Sequence, residues 1–279
     1  MANIDHNRQK KAAVINDYSS FGRCSLAVAS PILSAMKVQC CPVPTAVFTN
    51  HTGFPRFSWR DLTEVMDTYL EDWQAIGLEF TAIASGFLGS RRQIDFVKRF
   101  VKAFSKSAPL VLIDPVMGDY GRLYPSYAPE LAAGMHELLD IADVLTPNLT
   151  EASILIGREY NQNAGERELE EIARELCEPH ARCVVISGIP RGSELLNFIY
   201  ERDKGCDVLV TQRIGEDRSG TGDVFSAVVL GRLLNGAPFK NAVRDGAAFV
   251  MHAIRRSIEM GIPVTDGLAF EEVLGELIP

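Results

Sequence analysis

No stretch of this 279-residue chain approaches the ~20 consecutive apolar residues that crossing a bilayer takes. The polar, mixed-charge segment Met1–Lys11 lacks the apolar core of a secretory signal and reads as a short disordered lead-in, so a cytoplasmic chain without membrane contact is expected. Positive charge is scarce as well. The 28 Lys and Arg residues face 36 Asp and Glu, leaving a formal net charge of -8 and no basic cluster to hold a nucleic-acid backbone. The six cysteines (Cys24, Cys40, Cys41, Cys177, Cys183, Cys206) contain no C-x-x-C pair, and a chain this long does not depend on disulfide staples. A reducing compartment follows, with Cys183 a buried thiol in an apolar run. The usual phosphate loops are missing too: there is no G-x-x-x-x-G-K-[ST], and no G-x-G-x-x-G opens the first helix. Repeats, low-complexity tracts and linkers are absent, which leaves one domain spanning 12–279.

What is present is globular: 47% hydrophobic and 23% charged residues, enough for one large core. Short β-rich runs at Ala12–Ile15, Ala82–Ser85, Leu110–Ile113, Asp143–Leu145 and Cys183–Ser187 alternate with helical periodicity. The helical segments are Cys24–Met36, Trp59–Ile76, Ser90–Phe104, Pro129–Leu139 and Glu166–Cys177. That alternation predicts βαβ units and a mainly parallel sheet, and the uniformly apolar strands require helices on both faces. After Ser187 the pattern changes. Leu195–Tyr200 and Val208–Thr211 flank a polar turn at Asp203–Lys204–Gly205 and predict an antiparallel edge, followed by two long helices over Asp223–Asn235 and Phe239–Met260.

Ligands of open parallel sheets bind beyond the carboxyl ends of the strands, so the loops after each strand carry the candidates. In Gly220–Thr221–Gly222–Asp223, two glycines precede an apolar helical run, where unpaired amides and the helix dipole favour an anion. Asp223 then stands beside that cradle as a general base for an alcohol. The plain alternative is a turn ending in an acidic residue that complements the helix dipole. Asn148 and Glu151 have the spacing of a capping box, and Glu151 is also a carboxylate able to orient hydrated Mg²⁺. Asp114 ends a strand before Pro115, while Asp119, Tyr120, Gly121 and Tyr124 lie in a loop long enough to act as a lid. His51 reads as a structural hydrogen-bonder.

Taken together, the blocks Asn50–His51–Thr52–Gly53, Ser85–Gly86–Phe87–Leu88–Gly89, Asp114–Pro115–Val116–Met117–Gly118–Asp119, Thr146–Pro147–Asn148–Leu149–Thr150–Glu151 and Gly220–Thr221–Gly222–Asp223 resemble those of the pyridoxal kinase family. No single block is specific, but five in order at family-like spacing, from about Val14 to about Ala253, form a strong signal. The resemblance implies a ribokinase-like three-layer α/β/α sandwich with an antiparallel edge. It also implies ATP with Mg²⁺, possible use of K⁺, a homodimer, and phosphorylation of the 5'-hydroxymethyl group of a vitamin B6 vitamer in cofactor salvage. Carried over by position, Asp223 resembles the catalytic base and Gly220, Thr221 and Gly222 the anion hole. Asn148, Glu151, Asp114, Tyr124 and Ser187 resemble nucleotide-side residues, with Asp114 and Glu151 nearest the metal. Thr52 and Phe87 match ring-contacting positions, the latter usually Tyr. One departure stands at the first loop, where Asn16–Asp17–Tyr18 replaces Gln-Ser-His. Asp17, with Ser19, is therefore expected to face the substrate ring, where a carboxylate can pair with a protonated nitrogen. The order Asp17–Tyr18–Ser19 also resembles hydroxymethylpyrimidine kinases, the alternative substrate class. A non-catalytic vitamer-binding protein of the same fold is the other alternative.

Overall fold

The computed structural model describes residues 5–107, 109–124 and 127–279. Strand β1 (Lys11–Ser19) is followed by α1 (Ser25–Ala35), β2 (Gln39–Phe48), β3 (Trp59–Asp61), α2 (Thr63–Ala75), β4 (Ala82–Ser85) and α3 (Arg91–Ala103). Next come β5 (Leu110–Ile113), a two-residue hairpin of β6 (Gly118–Asp119) and β7 (Arg122–Leu123), α4 (Pro129–Met135), β8 (Val144–Leu145), α5 (Leu149–Leu155) and α6 (Glu166–Cys177). A meander of β9 (Cys183–Arg191), β10 (Glu194–Glu201) and β11 (Gly205–Gln212) leads into α7 (Thr221–Leu234) and α8 (Phe239–Glu259). The main sheet has nine strands in the order β11-β10-β9-β8-β5-β4-β1-β2-β3. Its six central strands run parallel, and antiparallel pairs close both ends.

Strand parity divides the core in two. Ala13 and Ile15 of β1 join Ile83, Val111 and Ile113 on the face covered by α3 and α6, whereas Ala12, Val14, Ala82, Ala84 and Leu112 face α1, α7 and α8. Because side chains alternate with a period of two, Asn16 and Asp114 follow Val14 and Leu112 onto the α7 face. The strand ends therefore aim two polar side chains at the helix that carries Asp223.

Four expectations need correction. The first is an unpredicted strand: β2 contains Pro42 and Pro44, which argue against a strand in sequence. They are tolerated because β3 pairs only with Ala46, Val47 and Phe48, so the earlier part of β2 is a sheet edge whose outward N–H groups have no ladder to serve. The second is Trp59–Ile76, which is not one helix. Its first residues form β3, and the Asp61 carboxylate accepts the Thr63 N–H at 2.7 Å where α2 begins. The third is Pro129–Leu139, where the α-helix gives way to a 3₁₀ turn at His136–Asp140. The fourth concerns the lead-in: β1 starts at Lys11, which is buried, and Asn7 bonds Gly77 O and the Glu79 N–H, so residues 7–11 are tied to the body of the domain. Residues 1–4 of that expectation lie outside the described residues. Among the described residues no helix is long and apolar enough to cross a membrane.

Candidate active site

The site is built around the start of α7. Gly220 caps the helix at φ +75°, a left-handed conformation that an L-residue adopts only with strain. The first intrahelical bond runs from Val224 N–H to Gly220 O, so the N–H groups of Thr221, Gly222 and Asp223 are the unpaired donors of the first turn. The Thr221 hydroxyl is spent on Arg218 O at 2.7 Å, which leaves amides rather than side chains to meet an anion. Asp223 is the third helical residue, half-buried. Its Oδ1 accepts from Asn16 Nδ2 at 3.2 Å, and its carboxylate also accepts the Ser25 N–H. Burial pushes this carboxyl up to about 7, with the charges of Asp114 and Asp17 adding to the effect and the two hydrogen bonds opposing it. A carboxyl held in that range at neutral pH suits an acceptor of an alcohol proton.

Asp114, at the end of β5, accepts a 2.6 Å bond from Ser226 Oγ, one turn after Asp223 on α7, and Thr146 Oγ1 lies 3.2 Å from the same hydroxyl. Asn148 and Glu151 form the complete capping box of α5: Asn148 Oδ1 accepts Glu151 N–H and Glu151 Oε2 accepts Asn148 N–H, each at 2.9 Å. Glu151 Oε1 takes the Met117 N–H at 3.1 Å, and Asn148 Nδ2 donates to Gly118 O at 2.8 Å. The capping box is complete, and it also anchors the loop after β5. Burial raises both Asp114 and Glu151, against the Ser226 and Thr146 hydroxyl bonds at Asp114, and the Asp114 charge raises Glu151 further. Tyr124 stands over the same group: burial, then the charges of Glu151, Asp119, Asp114 and Asp223, hold its phenol upward. Asp114, Tyr124, Glu151 and Asp223 thus converge, as expected.

Ser187 is placed beside this group, its N–H bonded to Pro147 O at 2.9 Å and its residue bridged to Asn148. The hairpin β6–β7 covers the region. It is held by Gly121 N–H on Thr150 Oγ1 at 2.9 Å and by the Tyr120 hydroxyl on Asp217, just ahead of the anion cradle.

On the ring side, Asp17 is 6% exposed and its oxygens accept from nearby hydroxyls, Oδ1 from Ser25 Oγ at 2.6 Å and Oδ2 from Ser19 Oγ at 3.0 Å. Burial raises its carboxyl. Asp17 and Ser19 thereby tie the end of β1 to the start of α1. Thr52 is exposed on the loop after β2, and Phe87 packs edge-on to Phe48 and Tyr127 at 6.0 and 5.8 Å. His51 accepts Gly53 N–H at Nδ1 and contacts Thr265 O through Nε2 at 2.7 Å, so the proton sits on Nε2 and the ring ties loops together.

Three residues of this region had no role assigned from sequence: Asn16, Ser226 and Ser85. Asn16 and Ser226 bond the Asp223 and Asp114 carboxylates, and Ser85 Oγ is buried without a partner among the described residues. It faces a cavity of about 30 Å³ that Asn16, Asp114, Asp223 and Ser226 also line.

Among the described residues no cluster of three or more His, Cys, Asp or Glu could enclose a metal ion. The donor set does fit a hydrated divalent cation. Two buried carboxylates, both raised by burial and Glu151 also by the Asp114 charge, gain from a nearby cation, and a cation that keeps its waters needs few protein ligands.

Fold and cradle together define a small-molecule kinase of the ribokinase-like class. The phosphomethylpyrimidine kinase family model matches residues 32–266. A Bacteroides thetaiotaomicron protein, described as a candidate phosphomethylpyrimidine kinase and crystallised with pyridoxal, superposes with a TM-score of 0.93 at 36% identity, covering 97% of this chain and 96% of its own. The pyridoxine/pyridoxal/pyridoxamine kinase of Bordetella avium is 31% identical over 84% of this chain and 81% of its own length. The Leishmania donovani pyridoxal kinase in complex with ADP and pyridoxamine is 25% identical at a TM-score of 0.86, covering 96% of this chain and 95% of its own. The chain belongs to the pyridoxal kinase family of the ribokinase-like superfamily.

Proposed function

We propose that this chain phosphorylates the 5'-hydroxymethyl group of a vitamin B6 vitamer at the expense of ATP, with Asp223 as the general base. The observation that carries the reading is the placement of one half-buried carboxyl, held near neutrality, in the first turn of a helix whose leading amides are unpaired. An alcohol whose proton is taken by Asp223 attacks a phosphoryl group whose developing charge meets the Thr221 and Gly222 N–H groups. Asn16 and Ser25 keep the base carboxylate oriented while this happens. Asp114 and Glu151 would hold hydrated Mg²⁺, which neutralises phosphate charge, while Tyr124, Asn148 and Ser187 line the nucleotide side. Phe87 and Thr52 belong to the ring side, supported by the family resemblance of their positions. That resemblance also supports a homodimer and monovalent-cation dependence, the cysteines without C-x-x-C spacing support a reducing, cytoplasmic location, and the net charge of -8 supports a protein without a nucleic-acid partner.

The test is an ADP-release assay with pyridoxal, pyridoxamine, pyridoxine and hydroxymethylpyrimidine, repeated with Asp223→Asn. Turnover with a B6 vitamer, and a fall in kcat of ~10²–10⁴ for the variant, are expected. Turnover with hydroxymethylpyrimidine alone would transfer the assignment to that substrate. Near-wild-type kcat in Asp223→Asn would remove Asp223 as base, because Asn caps a helix about as well as Asp.

A further inference from the structure

Asn16 lies within β1, one residue past its pairing with β4 and at the register shift against β2, 6% exposed on the sheet face turned to α7. Its Oδ1 accepts two backbone donors, the Asp17 N–H at 2.9 Å and the Phe87 N–H at 2.8 Å. Two donors on one oxygen settle the orientation of the amide, since its NH₂ group in that place would confront both N–H groups. The NH₂ must then point the other way, where Nδ2 meets Asp223 Oδ1 at 3.2 Å. The loop after β4 is shaped for this side chain. A β-carbon on Gly86 would stand 2.6 Å from Asn16 Cγ and 2.8 Å from Oδ1, so only glycine leaves the amide its room, and the next residue supplies one of the two N–H donors. The amide thus joins three segments far apart in sequence: the C-terminal half of β1, the loop after β4 and the first turn of α7.

We propose that Asn16 is a positioning residue for the phosphoryl-transfer base, an oriented amide that fixes the rotamer of Asp223 and commits its Oδ1, leaving Oδ2 to meet the substrate hydroxyl. The inference rests on Asp223 being the base. The charged groups facing Asp223 are Asp17 from the first loop and Asp114 from β5, both acidic, and Tyr124 adds a phenol from the lid side. Against those, the Asn16 amide and the Ser25 N–H are the neutral donors that favour the ionised form.

Two substitutions approach the amide from opposite sides. Asn16→Asp is nearly isosteric and keeps an oxygen for the Asp17 and Phe87 donors, but replaces the donor to Asp223 with an acceptor. Gly86→Ala leaves every polar group in place and displaces the amide by steric pressure. In each variant kcat at pH 7 should fall about fivefold, the loss of ionised base that a rise of about one unit from about 7 brings. The acidic limb of the kcat–pH profile should move up by about one unit, the worth of one lost bond to a charged group. KM for ATP should stay unchanged, and the Gly86→Ala rate should recover toward wild type at alkaline pH. A merely structural role predicts a lower thermal midpoint and an equal loss at every pH. An unmoved acidic limb in both variants overturns the inference, and if Asn16→Asp does not fold, Gly86→Ala alone decides it. Asp223→Asn is run alongside. Its inactivity together with unmoved limbs sinks only the role of Asn16, whereas its full activity sinks the base assignment itself.

Discussion

Gly220→Ala is the perturbation for which the structure yields the most definite magnitude. The residue sits at φ +75°, where a β-carbon costs about 1–2 kcal/mol of backbone strain. That β-carbon would also stand 3.0 Å from the Arg23 carbonyl carbon and 3.1 Å from Cys24 Cα, with the Arg23 oxygen nearer still. Arg23 and Ser25 already have positive φ values of 41° and 55°, so the opposing backbone has little room to yield. The helix start must retreat by on the order of 1 Å, and a displacement of that size at reacting groups costs about 10²-fold in rate. Strain and overlap together come to about 2–4 kcal/mol, or roughly 5–10 °C of melting temperature for a domain of this size. Gly222→Ala is the control for stability: its β-carbon meets nothing within 4 Å, and alanine in a helix is favoured by about 1 kcal/mol, so its melting temperature should hold or rise. Calorimetry of both variants and ATP turnover of Gly220→Ala form the assay. Wild-type kcat and melting temperature in Gly220→Ala would refute the claim that this left-handed turn places the anion cradle.

Three further outcomes follow from the site. Asp223 has a folded pKa raised to about 7 from an ordinary 3.8, so the folded state binds more protons than the unfolded between those values and stability falls as pH rises through that window. Asp223→Asn should therefore melt higher than wild type at pH 8, with the difference vanishing near pH 4, and equal melting at pH 8 would contradict the burial of this charge. Asn148→Ala removes one arm of the α5 capping box and the bond to Gly118 O. Its cost should be about 1 kcal/mol, a drop of roughly 2–4 °C, and an unchanged melting temperature would show the box to be dispensable. The 30 Å³ cavity beside Asp223 is roomy enough for a water and is lined by a buried hydroxyl, Ser85 Oγ, without a partner among the described residues. A high-resolution crystal structure should show a single ordered water bonded to Ser85 Oγ, and clear density with no water there would count against this.

The residues that periodicity and turn chemistry mark were legible in one dimension. Uniformly apolar runs such as Leu110–Ile113 announce strands buried on both faces, and Asn148 with Glu151, like Gly220 to Asp223, announce helix starts, because each depends on neighbours a few residues away. The family likeness drew on the order of such blocks, and the parallel sheet and the convergence of Asp114, Glu151 and Asp223 agree with it. Where meaning depended on a distant partner, the sequence was silent or misleading. Pro42 and Pro44 argue against a strand until the sheet shows that their side of β2 is a free edge. The two hydroxyls that Asp17 binds, of Ser19 and Ser25, become its partners only when β1 and α1 are packed. Asn16 is an unremarked polar residue until three chain segments meet at its amide. Local stereochemistry determines which elements form and where their ends expose polar groups, whereas the neighbours a side chain acquires across 70 or 200 residues are set only when the sheet and helices pack.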